Sequence, residues 1–305
     1  MDPQKNLPTA PGFWKMVRAS LRWTRTSFWM LSAFLALLGL IGYVWWPLVT
    51  AYLSTYNPDY PFWMQIDYLL IWDFLLMTLL IMANADLRRD WLIFAIGMCG
   101  GLVIESWGTQ TNLWFYYTAE RPPLWIIPAW PIASLSIDRL FRMLRLWTGR
   151  LPERLFQWIY WVVFPAFYGL MFFFVRFTLD KSLTLMALFL VAFLILTTKD
   201  KRSAVLVFTA GSGLGYFLEL WGTTRQCWTY YTWQTPPFFA VLAHGMAAVA
   251  FWRVWELFWV FAPGLRRRAG RLFKAQTGRN RHLDHAAGEL ELVVDGDDAV
   301  VHGQE

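Results

Sequence analysis

Residues 105–123 read ESWGTQTNLWFYYTAERPP, and residues 219–237 read ELWGTTRQCWTYYTWQTPP. Aligned without a gap, the two stretches share Glu, Trp-Gly-Thr, Trp, Tyr-Tyr-Thr and Pro-Pro at a constant offset of 114 residues, Glu105 to Glu219. A repeat this long marks two copies of one structural unit. The match extends upstream, where Asp86, Arg88, Gly97 and Gly101 correspond to Asp200, Arg202, Gly211 and Gly215, and downstream, where Arg139 corresponds to Arg253. Elsewhere the copies have diverged. Asp73 stands opposite Ala187, and His244 opposite Trp130.

The chain is 57% hydrophobic and only 16% charged, against about 25% charged in soluble domains. Its apolar residues gather into runs of about 20, the length that crosses a hydrocarbon core of roughly 30 Å. This composition predicts an all-α polytopic membrane protein. Eight transmembrane helices are expected near 28–48, 65–82, 91–107, 124–142, 158–176, 182–198, 204–220 and 237–260. With the N-terminus inside, Arg121, Arg176, Lys181 and Arg225 are the four of 27 basic residues left outside, a bias that sets an N-in/C-in topology. Four spans per copy is an even number. The copies should therefore enter from the same side, as two parallel four-helix repeats rather than inverted ones.

The repeats are expected at 28–142 and 158–261, joined by a basic cytoplasmic linker at 143–157. Residues 1–27 form a basic N-terminal segment. Within it Phe13, Trp14, Val17 and Leu21 fall on one helical face, the pattern of a helix lying in the cytoplasmic interface. No cleavable signal peptide is expected. Residues 262–281 form a basic juxtamembrane segment suited to anionic lipid headgroups rather than to nucleic acid. Residues 282–305 are acidic and lack aromatics, the signature of a disordered tail, with His282 and His285 read as solvated. Membrane lipids are thus expected partners, in a bacterial inner membrane. Cys99 and Cys227 are not repeat equivalents and form no CxxC or Cys/His spacing, so neither a metal nor a cofactor is expected. Phosphate-binding loops, nucleophile elbows and HExxH helices are absent.

Glycines four apart continue into each glutamate: Gly97, Gly101, Glu105 and Gly211, Gly215, Glu219. Residues at that spacing share a helical face, and small residues let helices approach closely in lipid. Equivalent stripes facing each other would bring Glu105 and Glu219 together beneath the outer interface. Two carboxylates in a poorly hydrated site cannot both ionise cheaply, so they would act as an acid/base pair. In a plainer reading, each Glu accepts hydrogen bonds from the Trp-Gly-Thr turn and holds a loop in place. Asp73 and His244 lie at similar depth and are candidate relay groups, since intramembrane ionisable residues default to function. The aromatic segments form a candidate substrate-binding rim. In the first copy it comprises Trp107, Thr109, Trp114, Tyr116 and Tyr117. In the second it comprises Trp221, Thr223, Arg225, Trp228, Tyr230 and Tyr231. Aromatic walls suit polyenes, quinones or prenyl chains and attract a developing carbocation.

The pattern Glu-x-x-Gly-x-x-Thr followed by aromatics, carried here by Glu105, Gly108, Thr111, Trp114, Tyr116 and Tyr117, resembles the bisanhydrobacterioruberin hydratase family of carotenoid-biosynthesis membrane proteins. The second copy offers Glu219, Gly222, Trp228, Tyr230 and Tyr231; Asn112 stands where the pattern has glycine. The resemblance covers about 20 residues per copy. It implies a multi-span protein that adds water to an apolar polyene, using an acid that protonates a double bond.

The expected function is therefore a membrane enzyme acting on a hydrophobic, isoprenoid- or carotenoid-like substrate by carboxylate acid/base chemistry, of hydration, isomerisation or cyclisation type. Two other classes stay open: a small-molecule or proton-coupled transporter, and a non-catalytic assembly factor docking a partner through its outer loops. The apolar inner halves of spans three and seven, Trp91–Met98 and Val205–Ala210, speak against a transport path.

Overall fold

A computed structural model describes Arg18 and residues 21–262. The expected interfacial helix at Phe13–Trp23 lies largely outside the described residues, and the basic and acidic C-terminal segments lie almost wholly outside them. Contacts divide the chain into residues 1–255 and 256–305. Of the second unit only 256–262 are described, and they are helical.

The first half contains α1 (Arg25–Val44), α2 (Trp46–Ser54), a 3-10 turn (Phe62–Gln65), α3 (Tyr68–Met82), α4 (Leu87–Gln110), strand β1 (Trp114–Tyr116) and α5 (Ala129–Trp147). The second contains α6 (Glu153–Val175), α7 (Ser182–Leu196), α8 (Lys201–Thr224), strand β2 (Trp228–Tyr230) and α9 (Phe238–Ala262). The bounds of α3, α4 and β1 recur in α7, α8 and β2 at the offset of the sequence repeat. Local chemistry explains part of this. Asp86 and Asp200 are equivalent residues, and each caps its helix by accepting a backbone N–H, from Arg88 and Ser203 respectively. Both long helices then stop on a left-handed residue at the same position, Asn112 (φ 59°) and Gln226 (φ 56°). Asn tolerates that region because its short amide can bond locally, which is why Asn112 can stand in a glycine's place. The first helices break the offset. The α2 excursion and its following turn have no counterpart in the short link between α6 and α7.

Among the described residues, five helices are long and apolar enough to cross a membrane: α1, α4, Glu153–Thr178, α8 and α9. The sequence reading anticipated eight. Helices α3 and α7 are apolar but have 15 residues each, about 22 Å at 1.5 Å per residue, short of the roughly 30 Å hydrocarbon core. Helix α5 carries Asp138, Arg139, Arg142 and Arg145 in its second half. Asp138, Arg139 and Arg142 are paired there. Arg139 donates to Asp90 of α4 at 2.9 and 2.5 Å and to Asp138 at 2.8 Å, and Asp90 and Arg139 are both buried.

Helix α8 sits innermost. Just over half of its apolar window is buried, 56%, against 17% for α1 at the periphery. Outward faces remain apolar, as Trp29, Trp158, Phe189 and Leu185 show by their exposure. Exposed apolar faces on apolar helices fit a hydrocarbon solvent rather than water.

The glycine stripes do not face one another. A Cβ on Gly97 would meet Pro131 at 3.0 Å, and one on Gly101 would meet the Trp130 ring at 2.3 Å. On the other copy, Gly211 meets Gly245 at 2.9 Å and Gly215 meets the His244 side chain at 2.4 Å. Each stripe thus beds the last helix of its own half, α4 against α5 and α8 against α9. Spacing identifies the face of a helix; it does not identify which neighbour that face meets.

Candidate functional site

The two halves join through the short strands. Strands β1 and β2 pair antiparallel, with Trp114 opposite Tyr230, Phe115 opposite Thr229 and Tyr116 opposite Trp228. Each Trp of one copy faces the Tyr of the other, a local twofold arrangement centred on Phe115 and Thr229. The flanking backbone bonds are reciprocal as well: Tyr117 N–H to the Cys227 carbonyl at 3.3 Å, and Tyr231 N–H to the Leu113 carbonyl at 3.1 Å.

From this ribbon the side chains reach back to the glutamates. Glu105 accepts from Trp114 Nε1 at 3.0 Å, from the Tyr116 hydroxyl at 2.9 Å and from Trp130 Nε1 at 3.1 Å. Glu219 accepts from Trp228 Nε1 at 2.9 Å and from the Tyr230 hydroxyl at 2.8 Å. Its third partner is His244 Nε2, 2.8 Å from Oε1. Burial, with Glu105 beside it, pushes the Tyr116 phenol well above its usual range; burial and Glu219 do the same to Tyr230. Both hydroxyls therefore stay protonated and serve as donors.

The invariant-looking spacing has a steric cause. The indole of Trp114 lies against Gly108, so a Cβ there would fall 1.9 Å from the ring; Trp228 lies against Gly222 in the same way at 2.0 Å. Glu-x-x-Gly places a bare backbone one turn beyond the carboxylate, and the tryptophan crosses it to reach that carboxylate. The glutamates do hold the loops, as the plainer reading expected. They do so through Trp114, Tyr116 and their equivalents. The Trp-Gly-Thr turn bonds otherwise: the Thr109 and Thr223 hydroxyls donate to the carbonyls of Glu105 and Glu219.

Glu105, Glu219, Asp73 and His244 all line one cavity of about 630 Å³ within the first unit, and its remaining lining is almost entirely apolar. Trp107, Trp114, Tyr116, Trp221, Trp228 and Tyr230 line it too. Trp130 and His244, equivalent residues on α5 and α9, stack inside it with ring centroids 5.9 Å apart and planes at 19°. The cavity is thus walled by both copies, with the stacked pair between their carboxylates.

Other residues of the expected rim stand elsewhere. Tyr117 donates to the Val44 carbonyl and Tyr231 to the Phe174 carbonyl, fastening the ribbon to α1 and α6. Thr109 and Thr223 face their own helix backbone. Arg225 is engaged by Asp67, with Nε and Nη2 both at 2.8 Å from the carboxylate oxygens, a bidentate pair. Trp221 donates to the same Asp67 at 3.0 Å, and its ring stacks on Trp45 at 5.0 Å. The first copy has a weaker counterpart, Lys181 Nζ to the Thr111 carbonyl at 3.4 Å, with Trp107 donating to Thr184 at 3.3 Å.

The sequence reading did not place Trp130 or Asp67 at the site. Trp130 could have been found, since it occupies the position of His244 and the repeat already put a glutamate within its reach. Asp67 had no such signal; its repeat equivalent is Lys181, of opposite charge, while the equivalent of Arg225 is the neutral Thr111.

No protein-family model, no curated protein and no solved structure matches this chain.

Proposed function

We propose that the protein is an integral membrane enzyme that binds an apolar, isoprenoid-like molecule in the cavity between its two copies and acts on it by proton transfer through Glu219 and His244. One observation carries this reading: the Glu219–His244 contact, at 2.8 Å, lies on the wall of a cavity of about 630 Å³ that is otherwise almost wholly apolar. That volume falls within the roughly 300–1,000 Å³ of small-molecule sites.

The two carboxylates then have different work. The donors around Glu105 are two indoles and a phenol, and an indole N–H donates only. Glu105 therefore has no neighbour with which to exchange a proton readily. Glu219 has an imidazole, which can hold or release one. A proton delivered from this pair to a carbon of a substrate double bond leaves a carbocation on the neighbouring carbon. The surrounding Trp and Tyr rings offer it their negative faces. Addition of water to the cation, with one proton returned to the pair, completes a hydration. Loss of a different proton to the pair completes an isomerisation instead. The resemblance to the carotenoid hydratase family favours the first course.

In this reading the chain crosses the membrane eight times, as parallel repeats with both termini inside a bacterial inner membrane. The basic residues of its inner segments support that orientation. The twofold pairing of β1 with β2 supports parallel copies, because an axis along the membrane normal relates them in that way. Helices α3 and α7 would span by virtue of their flanking turns, and α5 by pairing its charges near the inner face. Lipid would surround the exposed apolar helices.

The test is purification with native lipids followed by mass spectrometry of co-purifying apolar molecules. A discrete isoprenoid-class compound should be recovered, and its identity should change when Glu219→Gln blocks turnover. Recovery of bulk phospholipid alone from wild type and variant would defeat the proposal.

A further inference from the structure

The cavity wall has a carboxyl group that the proton-transfer step does not use. Asp73 on α3 is 5% exposed and lines the cavity, yet its Oδ2 has no hydrogen-bond partner. A buried carboxyl oxygen left unpaired is costly, because its desolvation is not compensated. Arg225 is bound by Asp67, six residues before Asp73. The equivalent position of the other copy differs. Ala187, the repeat equivalent of Asp73, also lines the cavity, together with Leu190, Val191 and Leu194 of α7. Two copies that are otherwise alike thus present a bare carboxyl on one flank and only hydrocarbon on the other.

We propose that Asp73 takes the hydrogen-bond donor of an amphiphilic ligand, a hydroxyl or ammonium group at one end of an apolar chain whose body extends toward Ala187 and α7. The inference rests on the reading of the cavity as an apolar-ligand site and adds the ligand's polar end and its direction. It also gives Asp73 a binding role, distinct from the relay role suggested by its depth in the sequence. Bound in this way, the ligand satisfies Asp73 Oδ2, and one orientation is selected from the two that a nearly twofold cavity would otherwise allow.

The experiment uses the purified full-length protein and three probes of equal chain length: geranylgeraniol, geranylgeranylamine and geranylgeranyl methyl ether. Binding is followed by quenching of the intrinsic Trp fluorescence. The ether keeps the oxygen as an acceptor and lacks the donor. The alcohol or the amine should bind at least tenfold more tightly than the ether, and which of the two binds better identifies the donor. Asp73→Leu should bring the preference down to about one while the ether still binds. Asp73→Asn, which keeps an acceptor oxygen, should retain part of the preference and serves as the folding control. Equal binding of all three probes to wild type, or a preference that survives Asp73→Leu, would overturn the assignment while leaving the apolar cavity standing. Failure of every probe to bind wild type would instead overturn the cavity reading, and this inference with it.

Discussion

The two glutamate cradles differ in a single partner. Around Glu105 the third hydrogen bond comes from the indole of Trp130; around Glu219 the imidazole of His244 occupies the same place, and the two rings stack on one another. Everything else matches to within 0.1 Å in the Trp and Tyr contacts, 3.0 and 2.9 Å against 2.9 and 2.8 Å. The two glutamates are equivalent in the sequence repeat, and one exchange of a ring sets an indole beside the first and an imidazole beside the second. In the function proposed above, the first copy shapes the cavity and the second performs the chemistry.

The largest break in that comparison should come from the carboxylates themselves. Glu219→Gln should lower turnover of the apolar substrate by about 100-fold or more, the usual size of a general acid/base contribution. Glu105→Gln should lower it by less than about tenfold, because that carboxylate is assigned a shaping role. Both variants lose hydrogen bonds to buried indole and phenol donors, and bonds to charged groups contribute roughly 1.5–3 kcal/mol each. Their thermal midpoints should therefore fall together while their activities separate.

Next come the glycines beneath the tryptophans. Gly108→Ala and Gly222→Ala place a Cβ at 1.9 and 2.0 Å from an indole ring. Overpacking costs roughly 1–3 kcal/mol and occasionally more, and displacing the ring also removes its bond to the glutamate. Each variant should lose about 3 kcal/mol or more, measured by thermal unfolding in detergent, and the two losses should be similar. Unequal losses would show that the copies are not mechanically equivalent.

The clips between halves should separate by less. Asp67→Asn weakens a bidentate pair with Arg225, whose side chain is 40% exposed. Solvent screening limits such a pair to about 1 kcal/mol or below. Lys181→Met, at the corresponding position of the other copy, removes only a 3.4 Å contact with the Thr111 carbonyl and should leave the midpoint unchanged.

The smallest effect concerns Cys227, which replaces the Leu113 of the first copy; both are buried, and both donate backbone N–H to the glycine of their motif at 2.9 Å. Burial pushes the Cys227 thiol up to about 12. The reactive thiolate should thus be scarce below that pH, and maleimide should leave Cys227 unmodified at pH 8 in the folded protein, by peptide mass spectrometry. Cys227→Leu should be close to neutral in stability.

Much of this architecture could be read from the residues alone. The offset of 114 residues paired α3, α4 and β1 with α7, α8 and β2, and with them the glutamates and aromatics, because each copy must satisfy the same backbone caps and the same carboxylate. Asp73, Glu105, Glu219 and His244 could be grouped from their depth along apolar runs. The partners of the glycine stripes could not, since a smooth helical face accepts any neighbour and Gly97 met Pro131 of its own half. Nor could the Asp67–Arg225 pair, which joins residues 158 apart through an excursion present in one copy only. Arg139 was visible as a repeated position, whereas its partner Asp90 was hidden because the second copy has Ala204 there.

The division of labour between the copies can be tested on the stacked rings. His244→Phe and Trp130→Phe each remove one hydrogen bond to a glutamate and keep a ring in the stack. The decisive measurement is the profile of apolar isoprenoid-class molecules, by mass spectrometry, in cells expressing each variant, the wild type or no protein. The His244→Phe profile should match that of cells without the protein, and the Trp130→Phe profile should match wild type. Two variants with the same profile, both active or both inactive, would contradict the assignment of chemistry to the second copy.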